Sequence, residues 1–146
     1  SLVEGCIKGR ELEIAVFEYE NQVIATHPGE VLCPEGSIYD YEEKYSKTAK
    51  TTTEVVAKNI KESTIEKMKS YALLAFDLLK LRHLSRVDFF LADNGEIYLN
   101  EINTFPGMTP ISLFPLMVEN YGVKFSDYLQ YLMDKEIKDY YETQTD

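Results

Sequence analysis

Four polar side chains stand in two apolar, strand-like runs: Arg86 and Asp88 in Ser85–Ala92, Glu101 and Asn103 in Ile97–Asn103. Side chains alternate faces along a strand, so each pair projects to one side of its own run. If the runs form a hairpin closed on Asn94-Gly95, Asp88 faces Glu101 and Arg86 faces Asn103, and all four share one face. Directly opposed carboxylates sit about 5 Å apart at Cβ and repel unless a cation offsets them. Two carboxylates and an amide oxygen are hard ligands, the set Mg²⁺ prefers when phosphates complete its shell. The alternative is a surface hairpin with polar residues on a wet face. Val87, Phe89 and Leu91 beside Phe90 argue for burial on both faces instead.

The elements that must position these residues are legible nearby. Asn94-Gly95 is a strong hairpin signal because both residues tolerate positive φ. As a two-residue loop it pairs Asp93 with Glu96 and sets the register above. After Asn103 comes a turn-rich crossing, Thr104-Phe105-Pro106-Gly107-Met108-Thr109-Pro110. Gly107 can bring its backbone close to a ligand. Ser112 is placed to cap the helix that follows, where free N–H groups and the helix dipole favour a carboxylate. Metal face, glycine crossing and anion-binding helix start together suit the joining of a phosphate donor to a carboxylate substrate.

Composition excludes several classes. The 146 residues carry a formal charge of −10, which opposes nucleic acid or an anionic membrane as partner. Lysines and arginines are spread without a basic block. Cys6 and Cys33 fall in no metal-ligand spacing and read as reduced thiols of a cytoplasmic protein. There is no signal peptide and no apolar run of membrane-spanning length. Neither a P-loop nor a G-x-G-x-x-G motif is present. The chain is one domain's worth, and its opening at Leu2-Val3-Glu4 reads as the cut edge of a larger protein.

In order, Leu2–Ile7 and Glu11–Tyr19 read as strands separated by Lys8-Gly9-Arg10, and Gln22–Thr26 as a third strand returning through Glu20-Asn21. Residues 27–53 look irregular, with 34–53 as a mobile loop poor in apolar anchors. His27 reads as an exposed turn residue. Ser63–Leu81 is the clearest helix, with Ser63 and Glu66 as a capping box and a core stripe from Ile65 to Leu79. His83 reads as a cap or linker. A last helix spans Phe125–Tyr141, with Tyr128, Leu129, Leu132 and Ile137 inward and Thr143–Asp146 frayed.

The segments R-V-D-F-F-L, N-E-I-N-T-F-P-G-M-T-P-I-S-L-F-P and Y-D-Y-E-E-K-Y resemble the D-alanine–D-alanine ligase family of the ATP-grasp superfamily, over nearly the whole chain. The resemblance implies an α+β fold: the C-terminal ATP-grasp portion of a larger ligase, a mainly antiparallel sheet with helices packed on one side. It implies ATP and Mg²⁺, with Mn²⁺ as the alternative metal. ATP would be bound by Glu4, Cys6, Ile7, Glu11, Lys44 and Phe90, and the metal by Asp88, Glu101 and Asn103. Arg86, Gly107 and Ser112 would be catalytic, and these three with Tyr45 and Leu113 would bind the amino-acid substrates. Residues 34–53 would close over the site. The implied reaction makes an acyl phosphate of one D-alanine, which the amine of a second attacks, in peptidoglycan precursor synthesis. The full-length enzyme would be a homodimer, the remainder of the ligase would be this chain's partner, and the isolated chain would be inactive. Two rivals stay open: D-serine or another second substrate, and a nucleotide- or metal-binding module that catalyses nothing alone.

Overall fold

The structure, a computed structural model, describes residues 8–32 and 52–144. Its organising element is strand β1 (Gly9–Tyr19), in which every residue from Glu11 to Phe17 is buried. A buried run this long needs both faces covered, so it becomes the sheet's central strand. The other strands are β2 (Gln22–Ala25), β3 (Gly29–Leu32), β4 (Thr52–Glu54), β5 (Leu84–Ala92) and β6 (Ile97–Asn103). All pairings are antiparallel, in the order β4-β3-β1-β5-β6, with β2 also on β1. The turn between β1 and β2 uses Glu20 and Asn21 at φ 49° and 64°, the left-handed pair that a two-residue hairpin needs. This is the α+β class expected.

Helices α1 (Glu62–Leu78), α2 (Leu113–Tyr121) and α3 (Phe125–Gln144) pack against the sheet. One stretch of β1 serves two cores by parity. Leu12, Ile14 and Val16 meet Met68, Ala72 and Phe76 of α1. The intervening Ala15 and Phe17 meet Phe114, Met117 and Val118 of α2 and Tyr128 of α3.

Several local expectations are corrected. Gly9 and Arg10 are not a turn but the start of β1. Arg10 grips Glu30 through Nε and Nη2 at 2.8 and 2.7 Å, and donates to the carbonyls of Lys58 at 2.6 Å and Asn59 at 3.1 Å. The Glu30 hydrogen bond raises the Arg10 pKa above its ordinary value. The stretch 27–53 is not irregular throughout, since it contains β3 and part of β4. These strands are too short to show a period, and they exist because they pair with a neighbour. His27 is half-buried, with Nε2 3.1 Å from the Ala57 carbonyl. Helix α1 starts earlier than the expected capping box: Lys61 is the N-cap, without a side-chain cap bond, and Ser63 lies inside the first turn.

In α3 the inward face is Tyr128 and, partly, Leu132, whereas Leu129 and Ile137 are 40% and 53% exposed. Thr143 is still helical. The phase is set by Tyr128, whose hydroxyl donates to the His83 carbonyl at 3.1 Å. That carbonyl also accepts from Glu18 N at 2.8 Å, and the His83 ring meets Glu136 at 3.1 Å. His83 thus fastens the entry to β5 to both β1 and α3.

Candidate functional site

The β5–β6 hairpin reaches the expected register by a different route. Its loop has three residues, not two: Ala92 N donates to Glu96 O and Gly95 N to Ala92 O, at 2.9 and 2.8 Å. Gly95 carries the left-handed φ of 91°, while Asn94 accepts from Glu96 N through Oδ1 at 2.9 Å. Asp93 therefore does not pair with Glu96, and its N–H donates to Lys8 O instead. Near the turn, Phe90 stands opposite Tyr98 and Phe89 opposite Leu99. A bulge at Asn100 then takes up one residue, so Asp88 faces Glu101 and Arg86 faces Asn103. The longer turn and the bulge cancel at the polar residues.

Pairing of β5 with β1 extends the face into three cross-strand rows. Glu11, Phe90 and Tyr98 form the first; Glu13, Asp88 and Glu101 the second; Ala15, Arg86 and Asn103 the third. The bulge keeps Tyr98 on the same face as Glu101, although the two lie three positions apart, an odd offset. Gly9 lets Phe90 lie close: a Cβ there would stand 2.7 and 2.8 Å from the Phe90 ring and inside contact distance of Leu91 O.

Arg86 lies across the middle row. It donates to both oxygens of Asp88, from Nε and Nη2 at 2.8 Å each, and its Nε is 3.2 Å from Glu13. The Asp88 side chain is fully buried and that of Arg86 only 20% exposed. The Asp88 hydrogen bond raises the Arg86 pKa above the ordinary guanidinium value, and the charges of Asp88, Glu13 and Glu101 add to it. Three carboxylates on neighbouring strands thus share one cation. Among the described residues no three His, Cys, Asp or Glu side chains converge as a metal cluster. The expected ligand set has two carboxylates and an amide, and here a guanidinium occupies the two Asp88 oxygens.

Beyond β6 the chain turns through an Asx contact, Phe105 N donating to Asn103 Oδ1 at 2.9 Å. Ser112 is the N-cap residue of α2, as expected, but its hydroxyl does not cap the helix. Its Oγ lies 2.6 Å from Thr109 Oγ1 and accepts from Thr109 N at 3.2 Å, while Ser112 N donates back to Thr109 O at 2.9 Å. A Cβ on Gly107 would meet Ser112 Oγ at 2.9 Å, so the glycine lets the two approach. Leu113 opens α2, where first-turn N–H groups lack helical partners. Phe105 and Ile111, flanking this crossing, are 90% and 86% exposed.

The structure brings Glu11, Phe90, Arg86, Asp88, Glu101 and Asn103 to one face, and places Gly107, Ser112 and Leu113 on the segment that leaves it. Glu4, Cys6, Ile7, Lys44 and Tyr45 lie outside the described residues. Sequence reading missed Glu13 and Thr109. A charged residue inside the buried run of β1 was the signal for Glu13; Thr109 closes the N-E-I-N-T-F-P-G-M-T segment, but was given no role of its own.

Fold and face together define an antiparallel α+β module whose sheet gathers carboxylates around a cation and leads into a glycine crossing and a helix start. Residues 1–134 match the family model described as D-ala D-ala ligase C-terminus, and the chain belongs to that family. A curated relative is the D-alanine--D-alanine ligase of Shewanella sp. (strain ANA-3), 51% identical over 136 residues, covering 93% of this chain and 40% of the relative. Among solved structures, D-alanyl-alanine synthetase A from Vibrio cholerae O1 biovar eltor superposes with a TM-score of 0.73 at 51% identity, over 84% of this chain and 37% of that one. The VanG D-Ala:D-Ser ligase from Enterococcus faecalis has a TM-score of 0.73 at 31% identity, over 88% and 36%. The chain spans about 40% of the length of the curated relatives it matches. The ATP-grasp fold expected from the sequence is that of these ligases. Among the described residues no helix is long and apolar enough to cross a membrane.

Proposed function

We propose that this chain is the C-terminal catalytic portion of a cytoplasmic, ATP-dependent D-alanine–D-alanine ligase that serves peptidoglycan precursor synthesis. The single observation that carries the reading is the row Glu13–Asp88–Glu101, spanned by Arg86 and joined by one short crossing to Gly107 and Ser112. A site that already holds a guanidinium between its carboxylates is chemically fit for a divalent cation. Asp88, Glu101 and Asn103 would hold Mg²⁺, or Mn²⁺ in its place; Asn103 Oδ1 keeps a second lone pair beside the one used by Phe105 N. That ion would offset the charge of the phosphates during transfer to the first D-alanine carboxylate.

The chain's own residues would do the rest. Glu11 and Phe90, neighbours across β1 and β5, would take the ribose and the base. Glu4, Cys6 and Ile7 would complete the base site, and Lys44 would reach the phosphates from residues 34–53, closed over the site. With Asp88 on the metal, Arg86 would turn to the tetrahedral oxyanion formed when the second amine attacks the acyl phosphate. Gly107 N–H would share that load, each such donor contributing about 3 kcal/mol in comparable sites. Ser112 and Leu113 N–H would hold the second substrate's carboxylate, with Tyr45 in the amino-acid pocket. The remaining length of the ligase would complete the cleft, in a homodimer.

The test uses the full-length enzyme: phosphate release from ATP with D-alanine, and the melting shift caused by Mg·ADP. Asp88→Asn should lose most of that shift while remaining folded; an unchanged shift would remove the metal role. The structural likeness to the D-Ala:D-Ser ligase keeps one second reading, D-serine as acceptor. Product analysis with D-alanine and D-serine in competition separates the two.

A further inference from the structure

We infer that Thr109 is the positioning residue that makes Ser112 a hydrogen-bond donor toward the second substrate's carboxylate; the inference rests on the function proposed above. A serine hydroxyl has one proton and two acceptor sites. Thr109 N–H takes one acceptor site of Ser112 Oγ, at 3.2 Å. The contact of 2.6 Å with Thr109 Oγ1 is also a hydrogen bond, and either oxygen can supply its proton. An ionised carboxylate only accepts, so a Ser112 that binds it must spend its own proton there. Thr109 Oγ1 must then donate to the second acceptor site. The result is a directed chain, Thr109 O–H to Ser112 Oγ and Ser112 O–H to the carboxylate, in which each bond polarises the next.

Position as well as polarity is set by Thr109. Ser112 N donates to Thr109 O at 2.9 Å, closing a turn across Pro110, whose ring fixes φ. With the hydroxyl drawn back to Thr109, Ser112 makes no bond to the first turn of α2, and the helix's free N–H groups stay available to the same carboxylate. Gly107 completes the arrangement, because a side chain there would collide with Ser112 Oγ at 2.9 Å.

The experiment compares Thr109→Val, which keeps the branched shape without the hydroxyl, with Thr109→Ser, which keeps the hydroxyl, in the full-length enzyme. T109V should raise the KM of the second D-alanine roughly 2- to 12-fold, the worth of one hydrogen bond between neutral groups, with the KM of ATP unchanged. T109S should restore it. Because Thr109 acts through Ser112, T109V should add nothing to the defect of Ser112→Ala, whereas a merely structural role would add to it. Should T109V not fold, T109A against T109S gives the same comparison. An active wild-type enzyme whose T109V variant keeps its second-substrate KM overturns the inference alone. So does a T109V defect spread over ATP and both substrates, or one that persists in S112A. A wild-type enzyme that forms no dipeptide from ATP and D-alanine refutes the proposed function, and the inference falls with it.

Discussion

Replacing Arg86 with Met tests whether the cation on the sheet face holds the fold together as well as serving the site. The guanidinium makes two bonds of 2.8 Å to Asp88, whose side chain is fully buried, and one contact of 3.2 Å to Glu13, whose side chain is 7% exposed. Removing one partner of a buried pair costs about 3–5 kcal/mol, because a desolvated charge is left uncompensated. The Arg86 side chain keeps 20% of its exposure, and Met restores the packing of its stem, so the lower end applies, about 3 kcal/mol. Chemical denaturation of the chain, followed by far-ultraviolet circular dichroism, measures this. Adding Asp88→Asn to Arg86→Met should recover roughly 2 kcal/mol of the loss, since it removes the stranded charge. The sign of the pH dependence follows from the raised Arg86 pKa. A cation whose folded pKa is raised contributes fully below its ordinary value, so the gap between wild type and R86M should persist through alkaline working pH. It should close only in acid, as the carboxylates take up protons. A deficit under about 1 kcal/mol with an unchanged denaturant slope would refute the reasoning, because it would mean that water reaches the pair.

Two further outcomes are expected. Gly9→Ala should cost about 2–4 kcal/mol in the same denaturation assay, because its Cβ runs into the Leu91 carbonyl and the Phe90 ring; a neutral effect would mean that β1 and β5 can part there. Tyr128→Phe should cost about 1 kcal/mol at neutral pH through the lost bond to His83 O. Burial pushes the Tyr128 phenol pKa up, so its stabilising share is complete below about pH 10 and is lost as the pH rises beyond that. Wild type should therefore lose more stability than Y128F above pH 10, and parallel melting curves for the two would contradict this.

The hairpin shows where local pattern ends and tertiary context begins. Parity along two apolar runs is a local property, so the sharing of a face by Arg86 and Asp88, or by Glu101 and Asn103, could be read directly. Their juxtaposition could not be read in the same way. It was expected from a two-residue loop, but the chain uses a three-residue loop and a bulge at Asn100, and the two departures offset each other. Turn type depends on the backbone that the loop adopts once β5 is paired with β1 on one side and β6 on the other, which no window of sequence contains.

The same division runs through the rest of the molecule. Periodicity alone located α1 and α3, because an apolar stripe must be buried somewhere; which stripe of α3 is buried was decided by Tyr128 reaching the His83 carbonyl, across 45 residues of chain. Motif residues Gly107, Ser112 and Leu113 stood out through their spacing. Glu13 did not, because it meets Arg86 only through the pairing of β1 with β5, two strands separated by 64 residues between Tyr19 and Leu84. Short β3 was invisible for a related reason: a four-residue strand gains its hydrogen bonds from partners, and no propensity sum over so few residues could reveal it. Ser112 carries both lessons in one residue. Its place before α2 is local, while the direction of its hydroxyl belongs to Thr109.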